Sequence, residues 1–312
     1  MNYVSVIIPT FNRRRKVLKC IDAVKKSSYQ PIEIIVVDDA STDGTYEIIR
    51  KSFPDVKLIR NEKRRYIAGS RNVGIKHSTG DVCIFIDDDV YVDKDTVDKL
   101  VRFLKVNKKV GIAGATVYDV SGKFYQAGVY KIINLSKNLY YSERDVEIAK
   151  KINGVLICES VHGDIYAVRR EVIEEIGGFD PYNFPMLYTD GDLCLRVLSR
   201  GYKIVILPEA RAYHDHTRLS SLEYYSLSAE RIRDTVKAKL IFIRLYTKSP
   251  IQRIAIPVYL LIHFMYYLRI FLREDGRNIL PLLIAYIRGI FDGFTHKIYQ
   301  KKDTLHQEDT YA

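Results

Sequence analysis

Tryptophan is missing from these 312 residues, methionine occurs three times, and cysteine occurs four times. Cys20, Cys83, Cys158 and Cys194 stand far apart, and three of them lie inside apolar runs. That spacing speaks against a disulfide framework or a zinc site and fits buried free thiols in a reducing compartment. No G-x-G-x-x-G follows the first strand pattern and no Walker loop occurs, which argues against NAD and P-loop chemistry. No helix-turn-helix, zinc-finger or RNA-binding signature accompanies the net charge of +11, so nucleic acid is not the expected partner. Long apolar runs are scarce as well. IAIPVYLLIHFMYYL (254–268) is uncharged between Arg253 and Arg269, yet it is shorter than the roughly 20 residues that a membrane-crossing helix needs. The opening MNYVSVIIPT enters a strand pattern at once, without the charged segment and apolar stretch of a signal peptide, so the catalytic part is expected to be cytoplasmic.

What is present reads as a globular chain, with 47% hydrophobic and 28% charged residues. The positive balance suits phosphate-bearing substrates or a membrane surface, and equally a lysine-rich solvated surface. From residue 4 to about 118, short β-branched runs alternate with helical stretches, the pattern of parallel strands joined by crossover helices. The strands are VSVII (4–8), EIIVV (33–37), VKLIR (56–60), VCIFI (82–86) and VGIAGATV (110–117). Their continuous apolar character predicts a sheet covered on both faces. Residues 119–153 are polar and read as a hairpin followed by a mobile, lid-like loop. Further strands are expected near 155–159, 164–168, 203–206 and 211–214, with helices at 169–176 and 190–200. Beyond His216 a basic helix is expected over 220–246, followed by the apolar stretches 254–268 and 279–287. These are read as helices lying in or on a membrane face, with core or dimer packing and a true membrane span as the alternatives.

Three groups carry chemistry. In CIFIDDDVYVD an apolar strand runs into Asp87, Asp88 and Asp89 at the end where open α/β sheets bind ligands. Adjacent like charges repel, and a divalent cation is the usual remedy. In VVDDASTDGT, Asp38 and Asp39 end another strand, where a carboxylate can accept hydrogen bonds from a base edge or a ribose hydroxyl, and Asp43 is better placed to cap the next helix. In MLYTDGDLCLR, Asp190 falls at a helix start, where it is free to act as a general base, while Asp192 and Arg196 are spaced to pair along the helix. Arg71 in AGSRNVG offers positive charge for phosphates, and His214 and His216 in AYHDHTRLS are neutral-imidazole candidates for a metal.

VSVIIPTFNR, VVDDASTDGT, AGSRNVGI, FIDDDV, GGFDPYNF and TDGDLCLR with a downstream YH occur in the order found in family 2 glycosyltransferases, and over residues 4–217 the chain resembles that family. The run TDGDLCLR most resembles the rhamnosyltransferase-like branch. The resemblance implies an α/β fold of GT-A type, with a mixed, mostly parallel central sheet flanked by helices and a helical C-terminal extension. It implies a catalytic domain over 1–217, divided into a nucleotide-binding half (1–118) and an acceptor-binding half (119–217), and a partly apolar, membrane-associated region over 218–312. Carried over by residue, Pro9, Thr10 and Asp39 would line the base pocket, and Asp87 and Asp88 would face ribose and sugar. Arg71 would lie near the donor phosphates. Asp89 would be the main metal ligand, helped by Asp87 and approached by His214, and Asp190 would be the catalytic base. The family usually has Glu before the base, where this chain has Thr189.

The implied reaction is a single displacement with inversion. Asp190 takes the acceptor proton, and Mg²⁺ or Mn²⁺ stabilises the departing nucleoside diphosphate. The donor would be a UDP-, dTDP- or GDP-sugar, and the acceptor a glycan or lipid-linked hydroxyl at the cytoplasmic membrane face, with a homodimer also conceivable. Two other readings stay open, a sugar nucleotidyltransferase and a non-catalytic nucleotide-sugar-binding module.

Overall fold

The computed structural model describes residues 3–133, 137–215, 228–247, 256–273 and 280–298. These fall into two compact units, one within Met1–Lys131 and Leu139–His216, the other within Ile132–Asn138 and Thr217–Gln300.

The first unit is a sheet sandwiched between helices. Its strands in chain order are β1 (Val4–Thr10), β2 (Ile32–Asp38), β3 (Lys57–Arg60), β4 (Val82–Ile86), β5 (Val90–Val92), β6 (Val110–Asp119), β7 (Phe124–Gln126), β10 (Leu156–Cys158), β11 (Ile165–Arg169) and β12 (Lys203–His214). Across the sheet the order is β10-β12-β6-β11-β4-β1-β2-β3, with β5 on β12 and β7 on β6. β1 pairs in parallel with β2 and β4, and β2 with β3. β6 and β12 are also parallel, and β11 is inserted antiparallel between β4 and β6. A strand from the expected acceptor half therefore lies inside the sheet of the expected nucleotide half.

Alternation along the strands assigns their side chains to two cores. Val4, Val6, Ile8, Val82, Ile84 and Ile86 belong to one. Ile7, Ile35, Val37, Cys83 and Phe85 belong to the other. Helices α1 (Arg14–Lys25) and α4 (Thr96–Val106) present Val17, Cys20, Ile21, Val24 and Val97, Leu100, Val101, Leu104 to the first core, each set spaced as one helix face. The second core is covered by α3 (Tyr66–Lys76), α6 (Arg170–Ile176) and α7 (Thr189–Ser199). A short helix α2 (Thr45–Ser52) has Gly44, in a left-handed conformation, as its N-cap without a side-chain cap; Asp43, expected to cap it, lies one residue earlier and accepts from the Thr45 N–H at 3.1 Å. All four cysteines are free and buried.

Two expectations need correction. Residues 143–151 are not a loop but helix α5 (Glu143–Lys151), opened by a reciprocal capping box between Ser142 and Asp145 and seated by buried Val146 and Ala149. The charged run is the solvated face of that helix. Before it, β8 (Val129–Ile133) and β9 (Lys137–Tyr140) pair as a separate ribbon. The two strands expected over 203–214 are one, β12, whose register jumps between Leu207 and Arg211. Pro208, lacking an N–H, falls in that jump and produced the apparent break.

The second unit contains α8 (Ala229–Tyr246), α9 (Ile256–Arg273) and α10 (Leu280–Thr295). Ile232, Val236, Leu240 and Ile243 of α8 pack with Ile256, Tyr267, Leu282, Ala285 and Tyr286. The expected helix start at 220 and His216 lie outside the described residues. Gly289 and Gly293 sit against α8, so close that a Cβ would lie 2.6 Å from the Arg233 carbonyl and 2.7 Å from Leu240 Cβ. Among the described residues no helix is long and apolar enough to cross a membrane.

Gly74 in α3 makes a similar approach to β1, since a Cβ there would lie 2.3 Å from Ile7 Cγ2. In a helix interior Gly→Ala is ordinarily stabilising by up to about 1 kcal/mol. Here Gly74→Ala is expected to destabilise by about 1–2 kcal/mol because overpacking wins. A raised urea midpoint would show that α3 does not bear on the sheet as described.

Candidate active site

Parallel pairing puts the ends of β1, β2 and β4 on one edge, and with them Thr10, Asp38, Asp39 and the triplet Asp87–Asp89. Because β11 runs the other way, its beginning reaches the same edge. The Asp87 N–H donates to the Asp164 carbonyl at 3.0 Å. β12 ends there too, delivering His214. Topology alone thus gathers residues that are far apart in sequence at the carboxyl end of the sheet, the ligand-binding edge of open α/β folds.

The three aspartates of the triplet face three different environments. Asp87 Oδ1 accepts from Arg71 Nη2 at 2.9 Å. Burial raises its pKa to about 8, and the charges of Asp164, Asp190 and Asp89 act in the same direction against Arg71. Asp88 Oδ2 accepts from Thr10 Oγ1 at 2.7 Å and its Oδ1 from Arg13 Nη1 at 3.0 Å. Burial raises its pKa as well, offset by Arg13 and Thr10. Asp89 moves the other way. Burial would raise it, yet the hydrogen bond and charge of His214, with Arg13 and Lys16, hold it down to about 2. His214 Nε2 is 3.3 Å from Asp89 Oδ1, and its Nδ1 is 3.3 Å from Asp164 Oδ1. Asp164 Oδ2 is held in turn by Gln126.

Behind the triplet lies Arg71, fully buried. Its Nη1 donates to Asp190 Oδ1 at 2.6 Å and to the Tyr166 hydroxyl at 3.2 Å, and its Nη2 donates to Asp87 and to the Gly163 carbonyl at 2.9 Å. The guanidinium also faces the rings of Phe179, Tyr166 and Phe85 at 5.3, 5.6 and 5.9 Å. Tyr166 Oη donates to Asp190 Oδ1 at 2.6 Å, and burial keeps that phenol protonated by raising its pKa well above the usual range. Asp190 Oδ2 accepts from Thr189 Oγ1 at 3.1 Å, and a Cβ at Gly163 would lie 2.6 Å from that oxygen. Glycine at 163 lets the backbone approach this carboxylate more closely than any residue with a Cβ could.

A profile of Glycosyl transferase family 2 matches residues 5–177, more than half of the chain. The chain belongs to that family. Glycosyltransferase GlyA of Streptococcus pneumoniae serotype 4 is 28% identical to it over 217 residues, which cover 65% of this chain and 29% of GlyA. The amylovoran biosynthesis glycosyltransferase AmsB of Erwinia amylovora is 27% identical over 223 residues, covering 70% of this chain and 71% of AmsB. In fold, the chain is similar to the mannosyltransferase PcManGT from Pyrobaculum calidifontis in complex with GDP-Man and Mn²⁺, with a TM-score of 0.58, 21% identity, and coverage of 95% of this chain and 76% of that one. The architecture is the GT-A fold.

Within this family 2 chain, the residues expected at the site do gather, but in two layers. Pro9 and Thr10 end β1 beside Val37 and Asp38. Asp39 Oδ1 accepts from the Arg65 N–H at 2.7 Å and Asn61 Nδ2 at 2.9 Å, and its Oδ2 from the Tyr66 N–H at 2.9 Å. The expected base contact therefore also anchors the start of α3. Arg71, expected beside the phosphates, stands behind the carboxylates with both of its Nη groups engaged. Asp87, expected to help bind metal, faces Arg71. Asp89 and His214 are together as expected.

Among the described residues, no three His, Cys, Asp or Glu side chains form a metal cluster. The chemistry of the donor pair nevertheless fits a divalent ion. Two neighbouring ligands of an octahedral ion bound at about 2.1 Å lie about 3 Å apart, close to the 3.3 Å between Asp89 Oδ1 and His214 Nε2. Asp164 stands 3.3 Å from the far nitrogen, near the place of the outer carboxylate beside many ligating histidines, without a hydrogen bond to it.

Four contributors were not foreseen: Arg13, Gly163, Asp164 and Tyr166. The His162-Gly163-Asp164 run ahead of an apolar strand was the available signal for two of them. His162 itself packs under the Tyr140 ring at 5.5 Å, with its pKa lowered by burial.

His214 rises above its ordinary 6.5, where burial is outweighed by Asp89 and Asp164, while Asp89 falls from 3.8 to about 2. Asp89 therefore contributes stability above its unfolded value and loses it as pH falls toward 2. His214 contributes fully below its unfolded value and loses that contribution as pH rises through its raised one. Both are complete between about pH 4 and 6.5. The stability lost in His214→Gln, from urea denaturation, should be greatest near pH 5 and smaller by about 1 kcal/mol near pH 9. Equal losses at both would mean that His214 stabilises by packing alone.

Proposed function

We propose that this chain transfers a sugar from a nucleoside diphosphate donor to an acceptor hydroxyl with inversion at the anomeric carbon. The observation that carries the reading is the pairing, on one sheet edge, of the Asp89–His214 set with an Asp190 carboxylate held from behind by Arg71 and Tyr166. Asp190 Oδ1 is committed to those two donors. Oδ2, which accepts from Thr189 alone among the described residues, is the oxygen left for an acceptor hydroxyl, and it takes the proton as that hydroxyl attacks. Thr189, where the family usually has Glu, steadies Oδ2 by its hydroxyl. Thr10 holds Asp88, and Asp88 with Asp87 faces the ribose and sugar. Asp89 and His214 would hold Mg²⁺ or Mn²⁺, which supplies charge stabilisation to the departing diphosphate. Asp164, 3.3 Å from Nδ1, adds a second negative charge beside the imidazole.

For the substrate, the TDGDLCLR run supports a rhamnosyltransferase-like donor preference, and UDP-, dTDP- and GDP-sugars with and without Mn²⁺ are the set to screen by thermal shift. Asp190→Asn retains an acceptor for Arg71 and Tyr166 but cannot take a proton. It should lower turnover by about 10²–10⁴-fold while leaving donor affinity within about twofold. Turnover close to wild type would remove Asp190 from the role of base, and retained configuration in the product would remove the single displacement.

We also place the C-terminal helices on the cytoplasmic membrane face, with a lipid-linked or membrane-proximal acceptor. Val258, Leu261, Ile262 and Met265 form an exposed stripe on α9, and Leu280, Ile284, Ile287, Phe291 and Phe294 form another on α10. Each helix thus carries apolar residues outward as well as inward, the composition of a helix embedded at an interface. The detergent-free protein should co-sediment with vesicles containing phosphatidylglycerol, less so at high salt, and Phe291→Asp should reduce the bound fraction about tenfold. Monodisperse protein with no affinity for these vesicles would exclude the placement, and a detergent-sensitive dimer would assign the stripes to a second copy.

A further inference from the structure

Asp88 and Asp89 are adjacent in sequence and only 5% and 3% exposed. Like charges so placed need a counter-cation. In this structure that cation is Arg13. A single nitrogen, Nη1, lies 3.0 Å from Asp88 Oδ1 and 2.7 Å from Asp89 Oδ2, and Lys16 Nζ stands 3.7 Å from the same Asp89 oxygen. Asp89 Oδ1 meanwhile faces His214. Arg13 therefore occupies the bridging position between two carboxylates on the very residue expected to ligate a divalent ion. An ion on Asp89 would share that carboxylate's charge with the guanidinium, and two cations on one carboxylate repel each other, so Arg13 competes with the ion for Asp89.

Arg13 and Arg71 differ in how they are held. Arg71 is fully buried and has four donor contacts on three sides. Arg13 is 48% exposed at its side chain, precedes α1 without a side-chain cap, and its guanidinium hydrogen bonds run to Asp88 and Asp89 alone among the described residues. One arginine is a fixed strut, and the other is a tethered ion that can turn outward.

Resting on the donor reading above, we propose that Arg13 is an exchangeable counter-cation. It holds the affinity of the site for a divalent ion low in the absence of donor, and moves to the diphosphate when ion and donor arrive together. A guanidinium is suited to both partners, since it pairs with carboxylate and phosphate alike. The consequence is coupling, which is reciprocal: the diphosphate raises metal affinity by the factor by which the metal raises diphosphate affinity.

The test is a titration of the full chain with Mn²⁺, following the signal of the free ion by electron paramagnetic resonance, with Mn²⁺ alone and with UDP, GDP or dTDP present. Arg13→Gln and Arg13→Ala should bind Mn²⁺ alone about tenfold more tightly than wild type, and the enhancement produced by the nucleoside diphosphate should shrink by about the same factor. Arg13→Lys, which keeps the charge, should stay within about twofold of wild type. If neither neutral variant binds Mn²⁺ alone more tightly, the counter-cation role is overturned while the donor reading stands. If Arg13→Lys gains as much as they do, charge is not the cause and the proposal falls. If no form binds Mn²⁺ under any of these conditions, the donor reading falls and this inference with it.

Discussion

The buried guanidinium of Arg71 is the interaction on which the rest of the site depends. An arginine with no exposed surface is tolerated only if its charge and its donors are met inside the protein. Here the charge and both Nη groups are met by Asp87 at the end of β4, Asp190 from α7 and the Gly163 carbonyl ahead of β11, while the buried Nε has no hydrogen-bond partner among the described residues. Those three partners belong to three separate elements of the fold, so satisfying Arg71 fixes where each must sit. Breaking such a buried pair by removing one partner typically costs about 3–5 kcal/mol. The end of β4, the start of α7 and the loop ahead of β11 are thus tied together at a point that solvent does not reach.

The same logic separates the two acidic layers. Asp87 and Asp190 share one permanent cation, whereas Asp88 and Asp89 share Arg13, which solvent does reach. Asp89 alone of the triplet has its pKa lowered, because His214, Arg13 and Lys16 together outweigh its burial. A carboxylate kept ionised at an accessible edge is the one best prepared to exchange one cation for another. The chain places rigidity behind the chemistry and exchangeability in front of it.

How much of this could be read from residues alone follows the physics of each feature. The strands with both faces covered were legible because double coverage demands unbroken apolar runs, as in VSVII and VCIFI. That Asp87–Asp89, Asp39 and His214 share one edge follows from their places at the ends of strands, which the apolar runs before them made legible. The antiparallel insertion of β11 was not, since strand direction depends on which neighbours pair, and IYAVR reads identically either way. Helix α5 was missed because nine residues rich in Lys, Glu and Arg resemble a solvated loop until the Ser142–Asp145 cap and the Val146, Ala149 contacts are seen. Arg71 illustrates the commonest failure. A lone arginine on a helix is usually at the surface, and only the convergence of two remote aspartates makes burial affordable.

The C-terminal helices pose a different problem, because their inward faces are already satisfied. Ile232, Val236, Leu240 and Ile243 complete a core with Leu282, Ala285 and Tyr286, and glycines at 289 and 293 let α8 and α10 approach closely. Arg244 then donates to the carbonyls of Gly293 at 2.6 Å and His296 at 2.9 Å, closing the end of α10 as a basic residue at a helix C-terminus should. The unit has no need of its outward stripes for its own cohesion. Burying the exposed part of these leucine, isoleucine and phenylalanine side chains would be favourable by about 25 cal/mol per Å², so the two stripes amount to a standing drive toward an apolar surface. In a chain of net charge +11, that drive and the attraction to anionic headgroups act in the same direction, which is the physical reason to look for the acceptor at a membrane.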